Sequence, residues 1–297
     1  MRTYFDCIPC FVRQGLDSVK LITNDEAVQE QVLREVLRLT SEMDLCETPP
    51  AMAQKIHRII RQLIGTNDPY EKAKRRFNEF ALELFPKMQE QMIKSERPFE
   101  TAVRLAIAGN IVDLGVKCSL EIQKVEKEID DALEAEFDMT DLDDFQTTVA
   151  EAKDILYITD NAGEIVFDRL LVEQIGPEKI TFVVRGGPII NDATIEDAQA
   201  AGLMDLVKVI DTGDDAPGTI LESCSKDFQR RFEAADLVIA KGQGNYETLS
   251  DVDKNTFFLV KAKCPVIARD LGCEVGEMIL RRNQSYSNAV DLVKEAE

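Results

Sequence analysis

DILYITDNAGEIVFD, residues 154–168, opens with a short run rich in Ile, Leu and Tyr that stops abruptly at polar residues and glycine. Such a run, closed by a turn signal, reads as strand, tight turn and helix. Asp160, Asn161, Ala162, Gly163 and Glu164 then fall at the carboxyl end of a buried strand, where an open α/β sheet leaves its ligand crevice. Asp160 and Asn161 set two oxygen ligands side by side, Gly163 lets the chain turn closely, and the first N–H groups of the following helix could receive an anion. Taken alone, the stretch also fits a plain helix start, since Asp and Asn are favoured N-caps.

Downstream the same grammar repeats. Apolar runs at Ile155 to Thr159, Ile180 to Val184, Val207 to Ile210, Asp236 to Ala240 and Pro265 to Ala268 alternate with helical patterns, which predicts a parallel sheet wrapped by helices. Upstream, residues 1 to about 150 carry apolar residues at three- and four-residue spacing, as in EAVQEQVLREVLRLTSEM and YEKAKRRFNEFALELF, with no strand-like alternation. Acid density rises from Val125 to Phe145, as in a solvated helix followed by a connection. The expected organisation is a helical amino-terminal domain, 1–150, contributing to the cleft, and an α/β domain, 151–297, carrying the site.

Three of the predicted strands end in polar, glycine-bearing loops: DNAGE at 160–164, RGGPIIND at 185–192 and KGQGNYE at 241–247. In a doubly wound sheet such loops converge on one crevice. Together they offer hard oxygen ligands in Asp160, Asn161 and Asp192, suited to magnesium or manganese rather than thiolate metals. Arg185 and Lys241 add the positive charge that suits a phosphoryl group. Lys241 follows the strand ADLVIA, so its ammonium is expected over the crevice. Asn191 or Asp192 could instead cap the helix ATIEDAQA. Gly242-Gln243-Gly244 is a weak match to a dinucleotide fingerprint, without the third glycine.

In the helical part, Asn110 and Asp113 interrupt FETAVRLAIAGNIVDLGV and share a helix face, as an internal hydrogen-bonded pair or as a face turned to the cleft. Cys7-Ile8-Pro9-Cys10 could chelate a soft metal, cycle as a dithiol or pack as ordinary thiols, although one such pair supplies only half a zinc site. His57 lies in the polar helical stretch MAQKIHRIIRQL and reads as a surface or structural residue.

Composition narrows the function. The chain has 297 residues, 44% of them hydrophobic, enough for a large core; its first residues lack a signal-peptide core, and no run approaches a membrane span. A cytoplasmic protein with reduced thiols is expected, the Cys count of 7 being odd and scattered. A formal net charge of -20 makes nucleic acid an unfavourable partner. With a single histidine, His57, triads built on histidine and multi-histidine zinc sites drop out, and a carboxylate must act as base or nucleophile.

AIAGNIVDLG, DNAGEIVFD, GGPIINDATIEDA and AKGQGNYETL, in this order, resemble the metal-dependent damage-control phosphatases, once the domain of unknown function number eighty-nine. CIPC resembles their CxxC-bearing prokaryotic branch. The resemblance implies a helical amino-terminal domain, a Rossmann-like α/β domain with helices on both faces of a mostly parallel sheet, and hydrolysis of phosphomonoesters of small metabolites such as sugar phosphates or damaged cofactor-like compounds. It implies a divalent ion (Mg, Mn, Co or Ni) held by Asp160, Asn161 and Asp192, with Lys241 and Asn245 binding the phosphate or the metal shell. Arg185, Gly163 and Glu164, with Asn110 and Asp113, complete the expected phosphate and substrate side. Asp160 or Asp192 would act as base or nucleophile, and Lys241 would neutralise developing charge. A nucleotide-binding module without turnover and a carboxyl methyltransferase are the rival readings.

Overall fold

The structure, a computed structural model, describes residues 1–110, 122–135 and 140–286. Its centre is a 6-stranded sheet of β1 (Ile155–Ile158), β2 (Ile180–Val184), β3 (Lys208–Asp211), β4 (Leu237–Lys241), β5 (Thr256–Lys261) and β6 (Met278–Arg282). The order is β3-β2-β1-β4-β5-β6, all pairs parallel except β5 with β6. The chain therefore leaves β1 toward β2 and β3, then returns to place β4 on the other side of β1. This reversal is a topological switch point, and it opens a crevice at the carboxyl ends of β1 and β4.

Strand residues alternate between two cores, as the period of two requires. Ile155, Tyr157, Ile239, Phe257 and Leu259 face one; Leu156, Ile158, Val238, Ala240 and Phe258 face the other. Near-continuous apolar strands such as ILYI and TFFLVK reflect burial on both faces. The first core is roofed by α4 (Glu71–Lys94), α5 (Pro98–Ala108), α7 (Leu142–Glu151) and α8 (Glu164–Ile175), the second by α10 (Lys226–Ala234), α11 (Gly242–Leu249) and α12 (Pro265–Leu271). A third cluster lies within α1 (Cys7–Ile22), α2 (Glu26–Glu42) and α3 (Pro49–Ile64). Hydrophobic packing thus runs straight across residue 150: Phe77, Leu105 and Phe145 share a core with the sheet. Between α5 and α7 lies α6 (Ile122–Glu134), and α9 (Ile195–Ala200) follows β2.

Strands at 155, 180, 207 and 236 sit where the sequence predicted them, within a residue or so. Pro265 to Ala268 is different: it is the first turn of α12, not a strand. Proline is well placed there because it needs no donor at a first helical turn, and Gly272 closes the helix at φ 71. The strand in question is β5, nine residues earlier in its start, and β6 is the antiparallel edge. Helix α5 ends at Ala108, with Gly109 and Asn110 in a tight turn; the rest of the expected helix up to Val116, Asp113 included, lies outside the described residues. His57 is structural: it is buried, its Nδ1 lies 3.0 Å from the Tyr70 hydroxyl, and burial together with Arg61 lowers its pKa to about 3.

Phe145 carries the contact between α7 and the sheet, its ring 5.7 Å from Phe99 and 5.0 Å from Phe257 with no solvent exposure. Phe145→Ala should cost about 3–5 kcal/mol in urea unfolding, the usual loss for emptying such a site. A cost below about 1 kcal/mol would mean that α7 is not part of the sheet's core.

Candidate active site

Backbone hydrogen bonds stitch the loops after β1 and β2 together. The Ala162 N–H donates to the Asn191 carbonyl (2.8 Å), the Ala193 N–H to the Asp160 carbonyl (2.8 Å), and Asn161 and Asp192 form an antiparallel bridge. Asp160, Asn161 and Asp192 are thereby held side by side. Arg185, at the end of β2, is buried beneath them: Nε donates to Asp192 Oδ2 (2.7 Å), Nη1 to Asn245 Oδ1 (3.1 Å), and Nη2 stands 3.9 Å from Asp160 Oδ1. Nη2 makes no hydrogen bond. Neither Asp160 nor Asn161 caps α8, whose N-cap is Gly163, and α9 is capped by a Thr194–Asp197 capping box, not by Asn191 or Asp192. The helix-capping alternatives are removed.

Lys241 does not stand over the crevice. It is fully buried, and its ammonium donates to Asp168 Oδ1 (2.7 Å), Glu164 Oε1 (2.5 Å) and the Ala106 carbonyl (2.7 Å), so its three donors are spent inside the protein. Burial opposes its charge, but the Asp168 and Glu164 carboxylates outweigh that and raise its pKa. Glu164 is buried and faces this cation rather than solvent. Asn110 favours the cleft reading over the internal pair: its Nδ2 donates to Asp160 Oδ2 (3.1 Å) and Glu164 Oε2 (2.9 Å). Asn245 orients Arg185, accepting also from Thr219 Oγ1 (2.9 Å) and donating to the Thr159 and Lys241 carbonyls. The Gly163 N–H donates to Asn78 Oδ1 (2.7 Å), and the Ala162, Ile165 and Val166 N–H groups bond within the chain, which closes those donors of α8 to an incoming anion.

The glycines of KGQGN serve close packing. Gly242 has φ +78, and a Cβ there would lie 2.0 Å from Asp160 Oδ2. The space where a dinucleotide fingerprint would admit a pyrophosphate is filled by a carboxylate, which repels one. At Gly186 a Cβ would meet the Asp214 backbone nitrogen at 2.5 Å, so the loop after β2 can lie against the loop after β3 only with glycine there.

A cavity of about 380 Å³ opens over Asp160, Asn161 and Asp192. Its far wall comes from α1 and α3, with Cys7, Cys10, Phe11 and Pro50, and from the α11–α12 side, with Gln243, Glu247, Lys263 and Cys264. Burial and the nearby Glu247 and Cys264 raise the pKa of Cys7, and burial raises that of Cys10, so both are held as thiols rather than reactive thiolates. Among the described residues no three His, Cys, Asp or Glu side chains group as a metal cage. A larger cavity, about 510 Å³, lies between α4 and α9, but its lysine is spent: Lys74 pairs with Asp68 (2.9 Å) and Asp197 (3.0 Å). The smaller cavity is the one lined by Asp160, Asn161 and Asp192.

The oxygen set fits a hard divalent ion. Burial, then the Glu164 and Asp192 carboxylates, push the Asp160 pKa well above the usual carboxylate range, against the pull of Lys263 and Arg185. Such crowding is the electrostatic complement of a cation. The donor set needs the amide of Asn161 beside two carboxylates, and the Asn110 Oδ1, buried without a hydrogen bond, adds an orphaned oxygen at the same place. Lys263, Gln243, Glu247 and Thr219 were not singled out from the sequence; Lys263 follows β5, the strand that the apolar pattern missed.

Residues 3–279 match the family model described as the damage-control phosphatase ARMT1-like domain. An uncharacterised protein of Methanocaldococcus jannaschii is 39% identical over 291 residues, covering 93% of each chain. Damage-control phosphatases of Pyrococcus horikoshii and Archaeoglobus fulgidus are 35% and 38% identical, over 96% and 93% of this chain and 99% and 97% of theirs. The crystal structure of a Pyrococcus horikoshii protein of the family once numbered eighty-nine superposes with a TM-score of 0.86 at 34% identity, covering 96% of this chain and 100% of that one.

Lys241→Met should destabilise the protein by about 3–5 kcal/mol, because it strands two buried carboxylates; unchanged urea unfolding would show that Lys241 holds nothing together. Glu247 gives a pH signature. Burial pushes its pKa up to about 7, against Gln243 and the amino terminus. A raised folded-state pKa adds stability that is full below the ordinary carboxyl value and is lost as pH rises through about 7. Glu247→Gln should therefore match the parent near pH 4 and exceed it at pH 8 by up to about 3 kcal/mol. Equal melting curves at pH 8 would refute the burial effect.

Proposed function

The chain belongs to the family of damage-control phosphatase ARMT1-like domains, and from that premise we propose that its cleft hydrolyses phosphomonoesters of small metabolites in a reaction that needs a divalent ion held by Asp160, Asn161 and Asp192. The carrying observation is the loop stitching that sets these three oxygens beside one another at the switch point, at the floor of a cavity. Two carboxylates and one amide leave coordination positions open, as a hydrolytic site requires. The ion, magnesium, manganese, cobalt or nickel, would polarise the phosphoryl oxygens and stabilise the charge that develops on them.

The chain's own residues supply the rest. Arg185 fixes Asp192 through Nε and turns its unbonded Nη2 toward Asp160, where it supports negative charge at the floor of the site. Asn245 and Thr219 hold that guanidinium in place. Lys241 supports catalysis from below, by fixing the Glu164 carboxylate that receives the amides of Asn110 and Asn161. With His57 remote and neutral, proton handling falls to Asp160 and Asp192. No helix of the described chain is long and apolar enough to cross a membrane; a cytoplasmic setting, with a small phosphorylated molecule as the partner and no nucleic acid, agrees with the strongly acidic charge. The filled space at Gly242 weighs against the nucleotide-binding and methyltransferase readings.

Phosphate release from a panel of sugar phosphates and nucleotides, with chelator or with each of the four metals added, tests the reading. Asp192→Asn keeps the volume beside Arg185 and should lower kcat/KM by about 10²-fold or more while the melting temperature stays near that of the parent. Release that is indifferent to chelator, or to Asp192→Asn, would refute the metal assignment.

A further inference from the structure

Metal-dependent hydrolysis at the floor of the cleft leaves CIPC, residues 7–10, without a task. Cys7 and Cys10 stand on the first turn of α1, three residues apart and so on one face. Helix geometry sets their Cα atoms about 5 Å apart, inside the span of roughly 4.4–6.8 Å that a disulfide bridges. Cys10 is exposed, and Cys7 is half-buried against the small core of α1, α2 and α3. Both line the cavity that opens over Asp160, Asn161 and Asp192, and Cys264 lines it too.

The turn that carries the pair is lightly held. Its N-cap, Asp6, makes no side-chain bond to the helix, the Cys7 and Ile8 N–H groups reach back to the Tyr4 (2.9 Å) and Phe5 (3.1 Å) carbonyls, and Phe5 is 76% exposed. Pro9 adds no donor. Burial disfavours both thiolates, so the reduced pair lacks the thiolate stabilisation that makes a dithiol site strongly oxidising, and a disulfide here is slow to form but well retained. We propose that Cys7 and Cys10 are a redox modification site in the cleft wall, oxidised by low-molecular-weight disulfides to an intramolecular bond that stiffens the first turn of α1 and weakens substrate binding. The exposed Cys10 thiolate attacks one sulfur of the small disulfide and expels a thiolate; Cys7, deprotonated in turn, attacks the Cys10 sulfur and expels the second. Two cysteine thiols are oxidised, one small disulfide is reduced to two thiols, and the protons the cysteines release are taken up by the leaving thiolates. Bridging also removes two weak S–H donors from the wall. The effect on substrate rests on the phosphatase reading; the formation of the bond does not.

The test treats the protein with oxidised glutathione or with dithiothreitol and reads its free thiols and its mass. Oxidised parent should lose two thiols and the mass of two hydrogens. Cys264→Ser should lose the same two, and Cys10→Ser should form no intramolecular bond. With p-nitrophenyl phosphate as substrate and manganese as the ion, oxidised parent should show KM raised by about 2- to 10-fold, the worth of one neutral hydrogen bond. Its kcat should stay near that of the reduced protein, because Asp160, Asn161 and Asp192 stand on the sheet rather than on α1; Cys10→Ser should give one KM after either treatment. Attached glutathione without an intramolecular bond, a bridge that still forms in Cys10→Ser, stoichiometric zinc that holds the two thiols against oxidation, or oxidised parent with unchanged KM overturns the proposal and leaves the phosphatase reading standing. Parent that releases no phosphate with any metal brings down the phosphatase reading, while thiol count and mass still decide the modification site.

Discussion

The buried ammonium of Lys241 is the interaction on which the site's geometry depends. It joins the end of β4 to the first turns of α8 through Glu164 and Asp168 and to the end of α5 through the Ala106 carbonyl. Burying one cation and two carboxylates is costly in desolvation, and the cost is offset only where hydrogen-bond geometry is good and the remaining lone pairs are satisfied. Most are satisfied: Tyr157 donates to Asp168 Oδ1, and Asn110 and Asn161 donate to Glu164, while Asp168 Oδ2 stays buried without a hydrogen bond. Since Asn110 and Asn161 also donate to Asp160 Oδ2, the position of that carboxylate follows from the ion cluster beneath it. Stability and catalytic geometry therefore meet in the same few atoms.

Both layers hold two carboxylates to one cation, Glu164 and Asp168 around Lys241 below, Asp160 and Asp192 around Arg185 above. Asp160 and Asp192 have Arg185 between them but keep an excess of negative charge, and burial denies them water to screen it. A site of that kind is unfavourable until a cation arrives, so the same crowding that disfavours ionised Asp160 favours ion binding. Lys241 bonds both of its carboxylates directly, whereas Arg185 bonds Asp192 and leaves Asp160 3.9 Å away, so the excess is least compensated at Asp160. A lysine at the end of β4 and an arginine following β2, on either side of β1, thus take inward positions: Lys241 compensates the Glu164 and Asp168 carboxylates of α8, and Arg185 those that the backbone stitching brings together.

Much of this was legible in the sequence because the strand-end loops carry more polar residues and glycine than turns need. Asp160, Asn161, Asp192 and Arg185 were singled out from DNAGE and RGGPIIND, and the structure gathers them at one point. Lys241 was misplaced for a physical reason: strand-end position predicts where a Cα lies, not whether a four-carbon side chain turns outward or finds carboxylates beneath. Glu164 and Asp168, four apart on the first turns of α8, were the available signal for that inward pair. Pro265 to Ala268 was read as a strand because PVIA is apolar and short, a pattern that a buried helix start shares. Losing β5 in this way also hid Lys263.

The cap formed by α1, α2 and α3 has its own small core, and it meets the rest of the chain at α11 and at the loops after the strands. The contacts with the loops after β2 and β3 are polar or charged. Gln54 donates to Asp214 and Asp215 (2.8 Å each), Arg58 pairs with both carboxylates, and Arg61 bonds Asp215 and the Pro188 carbonyl. One helix, α3, thereby clamps the loops after β2 and β3, and the second of these reaches Gly186 only because no Cβ stands in the way. The wall of the cleft that carries Cys7, Cys10, Phe11 and Pro50 is thus tied to the very loop that presents Arg185 and Asp192. Polar and partly solvated contacts of this type are weaker per area than a shared apolar core. The rigid floor is built on the sheet and its ion cluster, while the wall carried by α1 and α3 is held by the more readily exchanged interaction.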